Sequence, residues 1–448
     1  MRWLALVAVL AFPAILWAHA RLLSSDPAGG AVLAASPTSV RLVFSERPEL
    51  ALASIRLAGA GDTTSLGPLE RDPTDDAVVV APIDRALAPG SYVVIWRVAA
   101  RDGHIIRGTI GFTVAGDTAA VSETITAPPP LPTGAEFPAE KGGISVAVGG
   151  AIGTIIVRWA TFISLFLMIG TVVFKKFVLD RITTTEADPF SKIASTNAAT
   201  LGFVFSGALA LTAILKLARE SADMPDVPIG TLLFGSLWGM SLFTQLIVAL
   251  AAVAAFRLAH SDSILTSRTA WNAAFAAAMA AGITPAFGGH ALSGDSAYVA
   301  VPADIVHVIG GSAWLGTLAV IVLVAIPAAL KTPDDVRPGA RVAMLINKFS
   351  PLALTCGASV VATGLGAAVI RLPQLDSLWT TPYGVVLLLK LVFVIFLFGA
   401  GAWNWRRMKP RLTGDDAISP LRSSASLELV LTGVVLGLTA ILVATQLP

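Results

Sequence analysis

Two hydrophobic rhythms run along this chain. From residue 19 to about 115, apolar and polar positions alternate in short runs: Val40, Leu42 and Phe44 share one face, as do Val94, Trp96 and Val98, and Ile110, Phe112 and Val114. A period of two is that of a half-buried strand. Turn residues separate the runs at Asp26-Pro27, Ala28-Gly29-Gly30, Ser36-Pro37, Ala88-Pro89-Gly90 and Asp102-Gly103. This spacing suits a small all-β sandwich or barrel over 19–115. Residues 116–143 carry Pro128-Pro129-Pro130 among scattered Thr, Ser, Glu and Gly, a composition that favours extended chain, and they read as a linker. From 144 to 448 the rhythm changes to long apolar stretches. Eight reach spanning length, near 146–174, 194–216, 229–257, 270–288, 302–329, 343–370, 383–405 and 425–445. They predict an all-α polytopic membrane domain of eight transmembrane helices.

Composition and charge sharpen this picture. Hydrophobic residues make up 55% of the 448 and charged ones 13%, with a mean hydropathy of +0.77, so the lipid bilayer is a partner of most of the chain. A formal net charge of +2 and the lack of basic runs interleaved with aromatics leave no basis for nucleic-acid binding. Basic residues gather in the loops after spans one, three, five and seven, including Lys175, Lys176, Arg257, Lys331, Arg406 and Arg407, while the opposite loops hold Lys141, Lys216, Arg219 and Arg371. By the positive-inside rule the β domain and the C-terminus lie outside the cytoplasmic membrane. The N-terminus agrees, since Arg2 followed by an apolar stretch from Trp3 to Leu16 reads as a secretory signal peptide over 1–18. Cleavage after Ala18 makes His19 the first mature residue; cleavage after Ala20 fits the small-residue rule better and discards it.

The chain has five histidines and one cysteine, Cys356, so neither disulfides within the chain nor a multi-cysteine cluster can form. His19 at a free N-terminus offers an amine and an imidazole. Asp102-Gly103-His104 adds a carboxylate and a second imidazole on one turn, although the same three residues also make an ordinary hairpin connection. Nitrogen and oxygen donors in this mixture suit Cu(II), which heads the divalent affinity order.

These residues sit in longer patterns. His19-Ala20, then Leu23 to Gly30 (LSSDPAGG) and Val40 to Glu46 (VRLVFSE), resemble the start of the CopC copper-resistance proteins, and Trp96-Arg97-Val98, Asp102-Gly103-His104 and Gly108 to Val114 (GTIGFTV) resemble their C-terminal half. The resemblance covers nearly all of the β domain and implies an Ig-like Greek-key barrel or sandwich that binds Cu(II) through the mature N-terminus, His19, Asp102 and His104, with Glu46 a supporting neighbour at most. No Met lies between His19 and Lys141, so the Met-rich Cu(I) site of some CopC proteins is missing. The membrane part is similar to the CopD family, on Gly289-His290-Ala291, Asp304 with His307, Trp314-Leu315-Gly316, Phe349-Ser350, Thr363-Gly364, Tyr383-Gly384 with Lys390, Asn404 and Glu428. That resemblance implies copper uptake.

Asp304 and His307 are three apart on span five, hence on one helical face near its outer end, and His290 ends span four on the same side. Polar groups at membrane depth point to function, and the three are expected to form an outer copper site whose donors can hold either oxidation state. Met279 and Cys356 are candidate soft ligands deeper in, where Cu(I) is favoured. Lys390 is expected near the outer leaflet and Glu428 near the inner one, too far apart to pair; His260 is assigned no role. The expectation is a copper importer and not an enzyme, with a periplasmic copper chaperone as a candidate partner. Two other classes fit less well: a copper oxygenase with a histidine brace, where Asp102 would occupy the position oxygen needs, and a haem-binding electron-transfer protein, for which His290 and His307 lie too close to one membrane face.

Overall fold

The computed structural model describes residues 21–59, 62–100, 105–115, 144–182, 188–261, 263–288, 297–332, 336–372, 374–408 and 418–445. The proposed signal peptide and the linker lie outside them. The chain divides into two compact units, one of strands that also includes Glu220–Met240, and one helical, formed by Gly150–Arg219 and Ser241–Pro448.

The first unit has nine strands: β1 (Leu22–Asp26), β2 (Val32–Leu33), β3 (Ser39–Phe44), β4 (Glu49–Gly59), β5 (Asp62–Leu66), β6 (Glu70–Arg71), β7 (Val78–Pro82), β8 (Gly90–Ala99) and β9 (Ile105–Val114). They form a four-stranded sheet in the order β1-β3-β7-β6 and a five-stranded sheet in the order β2-β9-β8-β4-β5. The three alternating sets read from the sequence are the inner face: Val40, Leu42, Phe44, Val94, Trp96, Val98, Ile110, Phe112 and Val114 are all buried in one core. Trp96 of one sheet meets Phe44 of the other edge to face, with ring centres 5.4 Å apart. Its indole lies across Gly108 on β9, where a Cβ would come within 2.5 Å of the ring. Glycine is therefore required there to admit the largest residue of the core.

Seven helices among the described residues are long and apolar enough to cross a membrane. They are α1 (Ile144–Val173), α2 (Pro189–Asp223) and, after the short α3 (Ile229–Phe234), α4 (Leu237–Leu258); then, beyond α5 (Ile264–Ile283), α6 (Ala297–Lys331), α7 (Pro338–Arg371), α8 (Pro382–Trp403) and α9 (Ile418–Ala444). Two expectations change. The stretch 229–257 is not one helix: it breaks at Gly235-Ser236, where the Ser236 hydroxyl accepts from the Gly239 amide at 3.0 Å and caps α4. Only α4 is a candidate span, and α3 belongs to the strand-built unit. The stretch 270–288 forms α5, but Arg268, Asn272 and the Ser and Thr residues of its first turns make it too polar to count with the other seven. Its buried face is small, with Ala270, Ala274, Ala278 and Ala281, the kind of surface that lets helix backbones approach closely in lipid. Such approach is extreme where α1 meets α6. A Cβ on Gly170 would fall 2.2 Å from the Gly316 carbonyl carbon, in a π turn of α6 spanning Ser312–Gly316. π turns of this kind concentrate at functional sites.

Candidate metal centres

His19, Asp102 and His104 lie outside the described residues, but the backbone that leads to them does not. β8 and β9 stay in register through the pair Ala99 and Ile105, so the connection 100–104 leaves from the end of a regular ladder. At the other approach, the Arg21 amide donates to the Ser45 hydroxyl at 2.9 Å, and the Ser45 amide donates to the Arg21 carbonyl at 2.9 Å. From Ser45 the chain crosses between the sheets to Glu49, whose cross-strand partner is Ala99. Arg21, Ser45, Ala99 and Ile105 thus lie at one end of the sandwich.

In the helical unit, Asp304 and His307 fall on one face of α6, one turn apart. His307 Nδ1 is 3.0 Å from Thr363 Oγ1 on α7. The Thr363 hydroxyl gives its only hydrogen to the backbone, with the Ser359 carbonyl at 2.7 Å and that of Val360 at 3.3 Å. Toward His307 it then accepts from an Nδ1–H, the tautomer whose lone pair is on Nε2, and His307 also has a backbone hydrogen bond with Val360. Gly364 makes room for the ring: a Cβ there would lie 3.2 Å from His307 Cε1. Lys390 of α8 and Arg371 at the end of α7 are the basic groups whose charge acts on Asp304 and His307. Lys390 and Asp304 are near enough for each charge to act on the other, while Glu428 accepts a hydrogen bond from the Asn404 amide at a different level of the bundle. Lys390 and Glu428 are separate, as the direction of their helices predicts.

His290 is outside the described residues, and among those residues no group of three or more His, Cys, Asp or Glu is placed to hold a metal. His260 has both ring nitrogens engaged, Nδ1 with the Phe256 carbonyl at 2.8 Å and Nε2 with Thr200 Oγ1 at 3.1 Å. The candidate sulfurs part company. Cys356 lies seven residues, two turns, before Thr363 on the α7 face that meets α6 at Gly310, about 10 Å along the helix. Met279 is one turn from Gly282 on the α5 face that meets Ile309 of α6 and Ile169 of α1. His307 and Cys356 thus share one side of α6 and Met279 lies on another.

Sequence reasoning did not identify Thr363 as the partner of His307, nor the Asn404–Glu428 pair as one end of a cavity. That cavity, about 660 Å³, is otherwise lined mainly by apolar groups such as Trp314, Phe349 and Phe398, together with Ser350 and Arg406. A Thr seven residues beyond a cysteine gives no local sign of what it faces.

The comparisons with known proteins match the strand-built and the helical parts of the chain separately. Residues 22–115 match the CopC domain, 149–300 the Copper resistance protein D-like N-terminal domain and 343–442 Copper resistance protein D. The chain is a CopC–CopD fusion of the copper-resistance family. It is similar along most of its length to Copper transport protein CutJ of Bacillus subtilis (strain 168), at 25% identity over 92% of this chain and 72% of the relative. Its CopC part is similar to Protein YobA of Escherichia coli (strain K12), at 33% identity over 22% of this chain and 80% of YobA, and to Copper resistance protein C of Xanthomonas campestris pv. juglandis, at 30% over 22% of this chain and 81% of that protein. A CopC–CopD fusion is a multi-pass membrane protein of copper resistance and transport.

Proposed function

We propose that this CopC–CopD fusion captures Cu(II) outside the cytoplasmic membrane and passes copper inward through its helical part. The substrate is the ion itself. Cu(II) binds the mature N-terminus, His19, Asp102 and His104; this reading is supported by the described residues that flank them, Arg21, Ala99 and Ile105, which lie at one end of the sandwich. It then reaches Asp304 and His307, joined by His290. The observation that carries this reading is the contact of His307 Nδ1 with Thr363, set one turn from a carboxylate inside a membrane helix. A positioned lone pair is what a ligand imidazole needs, and a hydrogen bond on the other nitrogen is how proteins fix it. Cys356 supplies sulfur further along the same helix interface, suited to Cu(I).

Eight membrane crossings, with α5 as the fourth, place both ends of the helical part outside. The basic loops support this orientation. An inside-negative potential then favours uptake by about 2.3 kcal/mol per charge per 100 mV. The test is cellular copper content with and without the protein. The wild-type chain raises it, and His307→Ala at equal expression does not. Equal accumulation by the His290→Ala/His307→Ala double variant would place the route elsewhere.

A further inference from the structure

The five-stranded sheet has an outward face that is not wet. Along β8, Val94, Trp96 and Val98 point into the sandwich, so Ile95, Arg97 and Ala99 point away from it. Yet these are only 5%, 4% and 0% exposed. What lies on this face is Glu220–Met240, the stretch between α2 and α4, which belongs to the same compact unit. The Asp226 carboxylate is 2.7 Å from the Arg56 guanidinium and 3.8 Å from that of Arg97. Just after α3, Gly235 comes so close to β4 that a Cβ there would sit 3.2 Å from the Ala51 Cβ.

The charges on the sheet call for such a cover. Arg97 and Arg107 are direct cross-strand partners, and Arg56 lies on the next strand, two residues from Ser54, which pairs with Arg97. Like charges so placed repel. Burial pulls the Arg97 guanidinium below its ordinary value, Arg56 and Arg107 add to that, and Asp226 opposes it. A buried arginine without its carboxylate would be strongly destabilising.

We propose that Glu220–Met240 is a docking platform for the β domain, recognised through the Asp226 carboxylate on the Arg56–Arg97–Arg107 patch, and that it holds the β domain without help from the covalent linker. The seat is independent of copper and of the transport reading.

The experiment places a site-specific protease sequence within residues 116–143 of the full chain, cleaves the detergent-purified protein free of copper, and follows both fragments by size exclusion at low salt. The expected result is co-elution, with at least a tenfold smaller bound fraction in Asp226→Arg and recovery in Arg56→Asp/Asp226→Arg, where the charges are exchanged. Arg56 is the partner to exchange because its side chain is one-third exposed. Separation of the wild-type fragments on cleavage, undiminished association in Asp226→Arg, or failure of the exchanged pair to recover would each overturn the proposal.

Discussion

Thr363 Oγ1 lies 3.0 Å from His307 Nδ1 and 2.7 Å from the Ser359 carbonyl oxygen, and the second contact decides the direction of the first. With its hydrogen directed to the helix backbone, the hydroxyl favours the Nδ1–H tautomer, whose lone pair is on Nε2. A threonine that makes no metal contact thereby sets which atom of its neighbour can.

Removing that acceptor should be costly while keeping its shape should not. Thr363→Val is expected to weaken copper uptake by about 10- to 100-fold, the usual effect of losing a partner that orients a ligand histidine. Thr363→Ser, which keeps the hydroxyl, should restore most of it. The measurement is uptake as a function of external copper at equal expression. A valine variant with wild-type uptake would mean that the contact is packing alone.

The β-domain site depends on the N-terminus of the exported protein. Intact mass should show His19 as the first residue, and a species beginning at Arg21 would abolish the four-ligand site. With His19 in place, His104→Ala in the full chain is expected to weaken Cu(II) binding about a hundredfold in a competition titration, equivalent to about 2.8 kcal/mol. Cu(I) binding by the β domain should be weak in both proteins, because nitrogen and oxygen donors are present there and thioethers are not.

The sandwich core should be intolerant at Gly108. A Cβ at this position collides with the Trp96 indole at 2.5 Å, and the indole is held in turn by Phe44. Gly108→Val is expected to destabilise the β domain by about 1–3 kcal/mol through overpacking. Thermal unfolding followed by Trp fluorescence should register the loss.

Acid stability of the same domain should depend on Asp72. Its carboxyl is held well below the usual range, first by hydrogen bonds from the Thr74 hydroxyl and amide and then by Arg41. A depressed carboxyl stabilises the fold above its unfolded value, about 3.9, and that contribution fades as pH falls toward the folded value. Asp72→Asn should therefore lower stability at neutral pH and flatten its decline below about pH 4. Denaturant midpoints collected from pH 2 to 7 would show this, and parallel curves would exclude it.

Much of this protein is legible without coordinates. A period of two and long apolar runs are local signals, so the strands around Val40, Val94 and Ile110 and most of the spans can be read directly. Asp304 and His307 share a face because any residues three apart on a helix do. The sequence even hints at the covered sheet, for β8 is apolar at Ile95 and Ala99 as well as at its inward positions, as strands buried on both faces are. What covers that sheet is not legible. Gly235 and Ser236 interrupt a stretch whose hydropathy alone suggests a single helix, and Asp226 finds its arginines more than a hundred residues away. The hydroxyl that Thr363 turns toward His307, and the division of Met279 from Cys356 by α6, depend on which helix faces meet. Periodicity determines which residues of a helix lie together, because that is a property of its own backbone. Which foreign face they meet is decided by the shapes and charges of distant segments, and only the folded chain brings those together.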